Sequence, residues 1–74
     1  MRIGVPKEIK VHEYRVGLTP SSVREMVGRG HAVAVQTDAG AGIGANDDEY
    51  RRAGAEIATS AEEVFARAEM IVKV

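Results

Sequence analysis

Two basic residues, Arg15 and Lys73, have side chains whose chemistry suits the binding of a small organic acid. A guanidinium group grips a carboxylate with two parallel hydrogen bonds. A lysine ammonium group donates to a carbonyl or carboxylate oxygen as a compact point charge. Together they suit a 2-oxo acid or an amino acid. Simpler interpretations stay open: Arg15 as a solvated loop residue paired with Glu8 or Glu13, and Lys73 as a strand-end lysine that reaches water.

The elements that would position these two residues alternate between strand and helix patterns. Strand patterns cover residues 2–5, 31–36, 55–58 and 70–72, and helix patterns lie between them. This alternation predicts parallel strands joined by right-handed crossovers. The predicted fold class is therefore α/β, a parallel-sheet, Rossmann-like or flavodoxin-like three-layer fragment.

Residues with capping chemistry mark the predicted helix starts. Thr19 is a good N-cap, and Pro20 fits the first helical position. Two capping-box patterns follow, Asn46 with Glu49 and Ser60 with Glu63.

The last helix and the last strand have predicted buried surfaces. We expect the helix to bury Ala61, Val64, Phe65 and Ala68. The apolar run at residues 70–72 is typical of a strand that is covered on both faces.

The predicted topology places Arg15 and Lys73 at one edge of the sheet. Ligands of open parallel sheets bind outside the carboxyl ends of the strands. Arg15 lies in the long irregular loop after the first strand, and Lys73 ends the last strand. Long irregular loops are often functional. His12 and His31 have no nucleophile or metal ligand at useful spacing, so neither is assigned a role.

A glycine-rich segment, Gly40–Ala45, formally matches the dinucleotide-binding fingerprint G-x-G-x-x-[G/A] after a strand. The helix that follows is short and charged, however, and Ala58 stands where an acidic residue should end the next strand. We interpret the glycines as providing backbone freedom. The acidic run 47–49 suits the positive end of a helix dipole.

The composition limits the class of protein. The 74 residues hold ten basic and eleven acidic side chains, with a net charge of −1 and no cysteine. This balance argues against nucleic acid or an anionic membrane as the main partner. No apolar run approaches the ~20 residues of a membrane span. We expect a cytoplasmic protein without a metal site, and, because the last strand ends without a turn signal, a piece of a longer chain.

Several segments resemble the amino terminus of alanine dehydrogenases, in the family that they share with NAD(P) transhydrogenases. The matching segments are Gly4-Val5-Pro6-Lys7-Glu8-Ile9-Lys10, Glu13, Arg15-Val16, Thr19-Pro20, Gly40-Ala41-Gly42, Tyr50-Arg51-Arg52-Ala53-Gly54-Ala55-Glu56-Ile57 and Glu69-Met70-Ile71-Val72-Lys73-Val74. The resemblance covers essentially the whole chain, and its opening motif is specific.

The resemblance implies an NAD-dependent enzyme that interconverts L-alanine with pyruvate and ammonia. It implies that Arg15 grips the substrate carboxylate and that Lys73 contacts bound pyruvate or alanine. Residues 1–74 would be the N-terminal part of the substrate-binding (catalytic) domain. The catalytic histidine and aspartate of the family and its NAD-binding domain lie beyond the equivalent of Val74. Family members of this kind are homo-oligomers, which suggests a hexamer.

Two alternatives remain open at this point. The same region occurs in the soluble domain of proton-translocating transhydrogenases and, more distantly, in saccharopine dehydrogenases. The run Lys7-Glu8-Ile9-Lys10 and the position of His31 after Gly30 favour alanine dehydrogenase. Alternatively, the chain is an inactive structural fragment that associates through an exposed edge strand.

Overall fold

The computed structural model describes residues 1–8 and 16–73, and Arg15 and His12 lie outside the described residues. Within the described part, four parallel strands form one sheet in the order β3-β2-β1-β4. The strands are β1 (Arg2–Val5), β2 (Ala32–Gln36), β3 (Glu56–Ala58) and β4 (Met70–Ile71). The predicted parallel α/β fold is confirmed.

Three helices connect the strands, and their ends follow from local chemistry. They are α1 (Pro20–Gly28), α2 (Asp47–Arg52) and α3 (Ala61–Arg67). The Oγ1 atom of Thr19 accepts the Ser22 amide at 3.3 Å and caps α1. After α1 the chain turns at Gly30, whose φ of 93° is a left-handed conformation that favours glycine. We refer to residues 6–19 as the β1–α1 loop.

The helices lie on both faces of the sheet, which gives three layers. Alternate residues of a strand point to opposite faces. The larger core joins one face of β1 and β2 to α1 and α2, and it includes Ile3, Val5, Val23, Val33, Val35, Tyr50 and Ala53. On the other face, a Cβ atom on Gly4 would lie 2.8 Å from Val64 and 2.7 Å from Ala68. Gly4 therefore allows α3 to pack closely on β1.

The capping boxes are confirmed at α2 and only half confirmed at α3. Asn46 and Glu49 exchange both bonds of the box. Ser60 accepts the Glu63 amide at 3.2 Å, as predicted. The Glu63 carboxylate, however, accepts from the backbone amide and the hydroxyl of Thr59, both at 2.9 Å. Thr59 offers two donors, and these hydrogen bonds hold the pKa of Glu63 below its ordinary value.

Two predictions of burial are wrong. Phe65 is 53% exposed, because α3 packs on the sheet through Val64 and Ala68 instead. Met70 in β4 is 40% exposed, so this strand is not covered on both faces. In the described part of the chain β4 pairs only with β1, which makes it an edge strand.

A hydrogen-bond network centred on Asp47 fixes the loop between β2 and α2. The Asp47 carboxylate accepts from the Thr37 hydroxyl at 2.6 Å and from the Asp38 amide at 3.0 Å. The Thr37 hydrogen bond is the main reason that the pKa of Asp47 lies below its ordinary value of 3.8. Asp38 has a φ of 63°, a conformation that aspartate tolerates better than most residues.

We predict that Asp47→Asn lowers the free energy of unfolding by about 1 kcal/mol at pH 7, since a charge-assisted hydrogen bond is lost. A carboxylate whose pKa is lower in the folded state than in the unfolded state stabilises the fold at pH values above its unfolded-state pKa. This stabilisation is lost as the pH falls through the folded-state pKa. Denaturant unfolding at pH 7 and pH 3 should therefore show a smaller deficit at pH 3 than at pH 7. Asp48→Asn, whose side chain is 73% exposed beside Arg51, is the matched control. A deficit of equal size at both pH values would contradict this account.

Candidate functional site

The candidate site lies at the carboxyl edge of the sheet, where β1, β2 and β4 end. Gly4 is level with Ile71 in the parallel register, and the Val72 amide still donates to the Gly4 carbonyl at 2.9 Å. Lys73 follows directly beyond this pair. The chain leaving β1 and the chain leaving β4 therefore emerge side by side.

Lys73 lies at this edge, and its side chain is exposed. It follows the last strand residue, Ile71, by two positions. Its position agrees with the predicted edge of the sheet, and an exposed amino group there is free to meet a ligand from solvent. The predicted partner, Arg15, falls outside the described residues, but the segments on both sides of it are described.

The β1–α1 loop begins with a hydrogen bond to the end of β2. Pro6 has no amide hydrogen, so the amide of Lys7 is the first free donor after β1. This amide donates to the Oε1 atom of Gln36 at 2.8 Å. Gln36 is the last residue of β2 and is half-buried. The start of the loop is thereby tied to the neighbouring strand.

The β1–α1 loop returns to the end of β4 through Gly17. A Cβ atom on Gly17 would overlap the Val72 carbonyl oxygen, and it would lie 2.8 Å from the Val72 carbonyl carbon and 3.0 Å from the Lys73 Cα atom. Only glycine allows the two backbones to approach this closely. Because Arg15 is joined to Gly17 by two peptide bonds, at about 3.8 Å per residue, the contact limits how far Arg15 can lie from Lys73.

The end of the β1–α1 loop is held by Tyr50. Its hydroxyl group donates to the Leu18 carbonyl at 2.8 Å, and its side chain is fully buried. Burial raises the pKa of Tyr50, and the nearby charge of Glu49 adds to the rise. The side chain is therefore a neutral hydrogen-bond donor at physiological pH. Val16 and Leu18 pack against the core that Tyr50 shares.

The sequence motifs do not mark Gln36, Gly17 or Tyr50 as parts of the site. Gln36 is a polar residue that ends an otherwise apolar strand, which is a usable signal. Tyr50 is one of only three aromatic residues in the chain. The hydrogen bond from Tyr50 to the Leu18 carbonyl and the close approach of Gly17 to Val72 are tertiary contacts, which no local sequence pattern reveals.

Most amides of the glycine-rich loop already donate within the protein, which argues against dinucleotide binding by this loop. Residues Ala41–Ile43 form a 3₁₀ turn, and Gly44 has a φ of 77°. Four amides of the loop already donate to loop carbonyls: those of Ala41, Ile43, Gly44 and Ala45. A phosphate-binding turn needs such amides pointed at its ligand. The glycines therefore provide the backbone freedom that these turns require, which is the interpretation made from the sequence.

Among the described residues, one cavity opens beside the sheet and another lies between α1 and α2. One of about 300 Å³ opens at the amino ends of the strands, beside Arg2, Ala32 and Glu56. The other, of about 420 Å³, lies at the start of α1 and is lined by Pro20, Ser21, Arg24, Glu49 and Arg52. In an open parallel sheet ligands bind at the carboxyl edge. The cavity near the start of α1 therefore lies on the relevant side.

The described residues give no sign of a metal centre or a membrane span. Within residues 1–8 and 16–73, no three His, Asp or Glu side chains group as metal ligands would. In the same part of the chain, none of the helices has the length and apolar character that crossing a bilayer requires.

Comparison with known proteins identifies the family to which this chain belongs. Residues 4–74 match the family model described as alanine dehydrogenase/PNT, N-terminal domain. The chain therefore belongs to the family of alanine dehydrogenase and PNT N-terminal domains, and the resemblance stated from its motifs is confirmed.

Within this family the chain is similar to alanine dehydrogenases and, at lower identity, to a transhydrogenase. It is 54% identical to the alanine dehydrogenase of Halomonas elongata over all 74 residues, which are 20% of that protein. A solved L-alanine dehydrogenase superposes with a TM-score of 0.94 at 55% identity, over 99% of this chain and 20% of that one. A transhydrogenase structure from Sinorhizobium meliloti gives 0.91 at 32% identity, over 99% and 21%. The chain spans about a fifth of the length of its curated relatives.

We predict that Gly17→Ala destabilises the protein by about 1–3 kcal/mol, because the added methyl group must displace backbone atoms of Val72 and Lys73. The melting temperature of the intact protein measures this effect. Gly28→Ala is the matched control, since a Cβ atom there meets nothing within 4 Å. Alanine favours the helix by up to about 1 kcal/mol, so the control should be unchanged or more stable. A Gly17→Ala variant as stable as the control would refute the close contact.

Proposed function

We propose that this chain is the first part of the substrate-binding domain of an NAD-dependent alanine dehydrogenase. The reaction converts L-alanine, NAD and water reversibly to pyruvate, ammonia and NADH. Alanine dehydrogenases that match all 74 residues of this chain support the proposal. The geometric observation that supports it most directly is the contact of Gly17 with Val72 and Lys73, because it draws the segment after Arg15 towards Lys73.

Arg15 and Lys73 have complementary roles in this proposal. The Arg15 guanidinium grips the carboxylate of pyruvate or alanine with two hydrogen bonds. The Lys73 ammonium donates to the 2-oxo oxygen, which withdraws electron density from the carbonyl carbon. A positive charge at that point stabilises the negative charge that develops on the oxygen when the carbon is attacked.

The remaining machinery belongs to parts of the proposed enzyme outside residues 1–74. NAD supplies the hydride acceptor of the reaction, and we assign its binding to those other parts, since most amides of the glycine-rich loop already donate within the protein. The acid–base groups of the reaction are likewise assigned elsewhere. We further propose that the enzyme is a cytoplasmic homo-oligomer, a hexamer by family resemblance, which size-exclusion chromatography with light scattering tests directly.

In the full-length enzyme, Arg15→Ala should lower kcat/KM for pyruvate by about 10- to 150-fold, the equivalent of losing about 1.5–3 kcal/mol of charge-assisted hydrogen bonding. Arg15→Lys retains the charge but loses the planar fork, so its loss should be intermediate. Arg51→Ala removes an exposed arginine and should keep wild-type kinetics. The measurement is steady-state kinetics with pyruvate as the varied substrate. An Arg15→Ala variant with the same kcat/KM as Arg51→Ala would contradict the assignment.

Lys73→Gln should lower kcat more than it raises KM for pyruvate, because the charge acts mainly on the developing oxyanion. A loss of about 100-fold in kcat is expected from the removal of one such donor. Pre-steady-state and steady-state rates of NADH oxidation measure it. A change confined to KM would show that Lys73 contributes only to ground-state binding.

The alternative candidate is the soluble domain of a proton-translocating transhydrogenase. The transhydrogenase structure has nearly the same backbone as this chain, which keeps the alternative open. The higher identity to L-alanine dehydrogenase, 55% against 32%, favours the dehydrogenase. Pyruvate- and ammonia-dependent oxidation of NADH by the intact protein separates the two, since a transhydrogenase has no amino-acid substrate.

A further inference from the structure

The cavity between α1 and α2 is a basic feature that the proposed reaction does not use. Its volume is about 420 Å³, and the residues that line it are Pro20, Ser21, Arg24, Glu49 and Arg52. We propose that this α1–α2 cavity binds the phosphate group of a small molecule through the two guanidinium groups and the Ser21 hydroxyl. The inference goes beyond the proposed function, because none of these residues is assigned a part in the reaction.

Buried neighbours hold the backbone of both arginines. Arg24 follows Val23, which is fully buried in α1. Arg52 ends α2 between the buried residues Tyr50 and Ala53. These buried side chains belong to one core, which joins α1 to α2. The core therefore fixes the separation of the two backbone segments, and the arginines line one cavity from two different helices.

The two arginines of the cavity lack a carboxylate partner in the described part of the chain. Other arginines form ion pairs of 2.7–2.9 Å, namely Arg29, Arg51 and Arg67. Within residues 1–8 and 16–73, by contrast, Arg24 makes no hydrogen bond or ion pair. Arg52 donates only from Nε, to the Asp48 carbonyl at 3.4 Å. The terminal nitrogens of both guanidinium groups can therefore donate to a ligand.

Glu49 reduces the positive charge of the α1–α2 cavity without cancelling it. Its Oε1 atom accepts the Asn46 amide at 3.4 Å in the capping box of α2, so the carboxylate is already engaged at the start of that helix. Two guanidinium groups and one carboxylate leave a net positive charge on the lining. Since like charges that share a cavity repel each other, an anion between the arginines is stabilised.

The donors of the cavity suit a phosphate group better than a carboxylate. A guanidinium fork donates two parallel hydrogen bonds to either group. A carboxylate has two oxygens, which a single fork occupies, whereas a phosphate ester has three acceptor oxygens. A phosphate can therefore bind Arg24 and Arg52 together and still accept from the Ser21 hydroxyl. The volume of about 420 Å³ falls within the range of small-molecule sites, roughly 300–1,000 Å³.

The test is a calorimetric titration of the full-length protein with inorganic phosphate, at an ionic strength held constant with sodium chloride. We expect one saturable site with a dissociation constant on the order of 1 mM. Arg24→Gln and Arg52→Gln should each weaken binding about tenfold, the equivalent of about 1.4 kcal/mol. Acetate, titrated in the same way, should bind more weakly than phosphate, and equal affinity would overturn the assignment of a phosphate ligand.

Two variants of α2 serve as matched controls for the effect of charge. Glu49→Gln keeps the capping box, since glutamine also serves at that position, but removes the negative charge from the cavity. It should bind phosphate about two- to fivefold more tightly than wild type. Arg51→Gln removes an arginine that Asp48 already neutralises, so its affinity should match wild type. An equal loss in Arg51→Gln and Arg24→Gln would show a general effect of net charge and overturn the inference.

Arg15→Ala separates the α1–α2 cavity from the proposed substrate site, whose arginine is also assigned to an anion. If phosphate occupies the cavity, this variant should bind it with wild-type affinity. Loss of phosphate binding in Arg15→Ala overturns the inference, and so does the absence of saturable binding by the wild type. Both results leave the proposed function standing. A protein that binds phosphate as expected but does not use pyruvate overturns the proposed function and leaves this inference intact.

Discussion

The close contact of Gly17 with the backbone of Val72 and Lys73 is the constraint on which the candidate site depends. A parallel sheet brings the carboxyl ends of its strands to one edge, but it does not determine where a long loop from that edge will go. The contact supplies this information. The contact requires a residue without a side chain at position 17. It joins the β1–α1 loop to the residues that follow β4, which include Lys73.

The elements and their order could be predicted from the sequence because they depend on local chemistry. The bounds of β1 follow from an apolar run that stops at Pro6, and α1 begins where Thr19 and Pro20 indicate. Topology then follows from alternation, since strands joined by helical crossovers are parallel. The same rule placed Lys73 at the carboxyl edge, where the structure has it. The role of Arg15 came from chemistry and family resemblance, and it stays a prediction.

The wrong burial prediction and the unpredicted hydrogen bonds have one physical cause. Periodicity in the sequence indicates whether a residue is apolar, but not which surface its side chain faces. Phe65 belongs to the predicted apolar face of α3, yet Val64 and Ala68 are the residues that pack closely on Gly4, and Phe65 is 53% exposed. The hydrogen bonds of Gln36 and Tyr50 join residues far apart in the chain. A side chain bonded to a distant backbone atom leaves no local pattern.

The pairing of β4 with β1 has a consequence for the order in which contacts form. β4 pairs with β1 near the beginning of the chain, so the sheet closes by contacts of high sequence separation, which form slowly. During synthesis the amino-terminal residues emerge first. When Gly17 is synthesised, the two residues that it contacts in the folded protein, Val72 and Lys73, have not yet been added to the chain. The contact of Gly17 with these two residues therefore forms only after the chain has been made as far as Lys73.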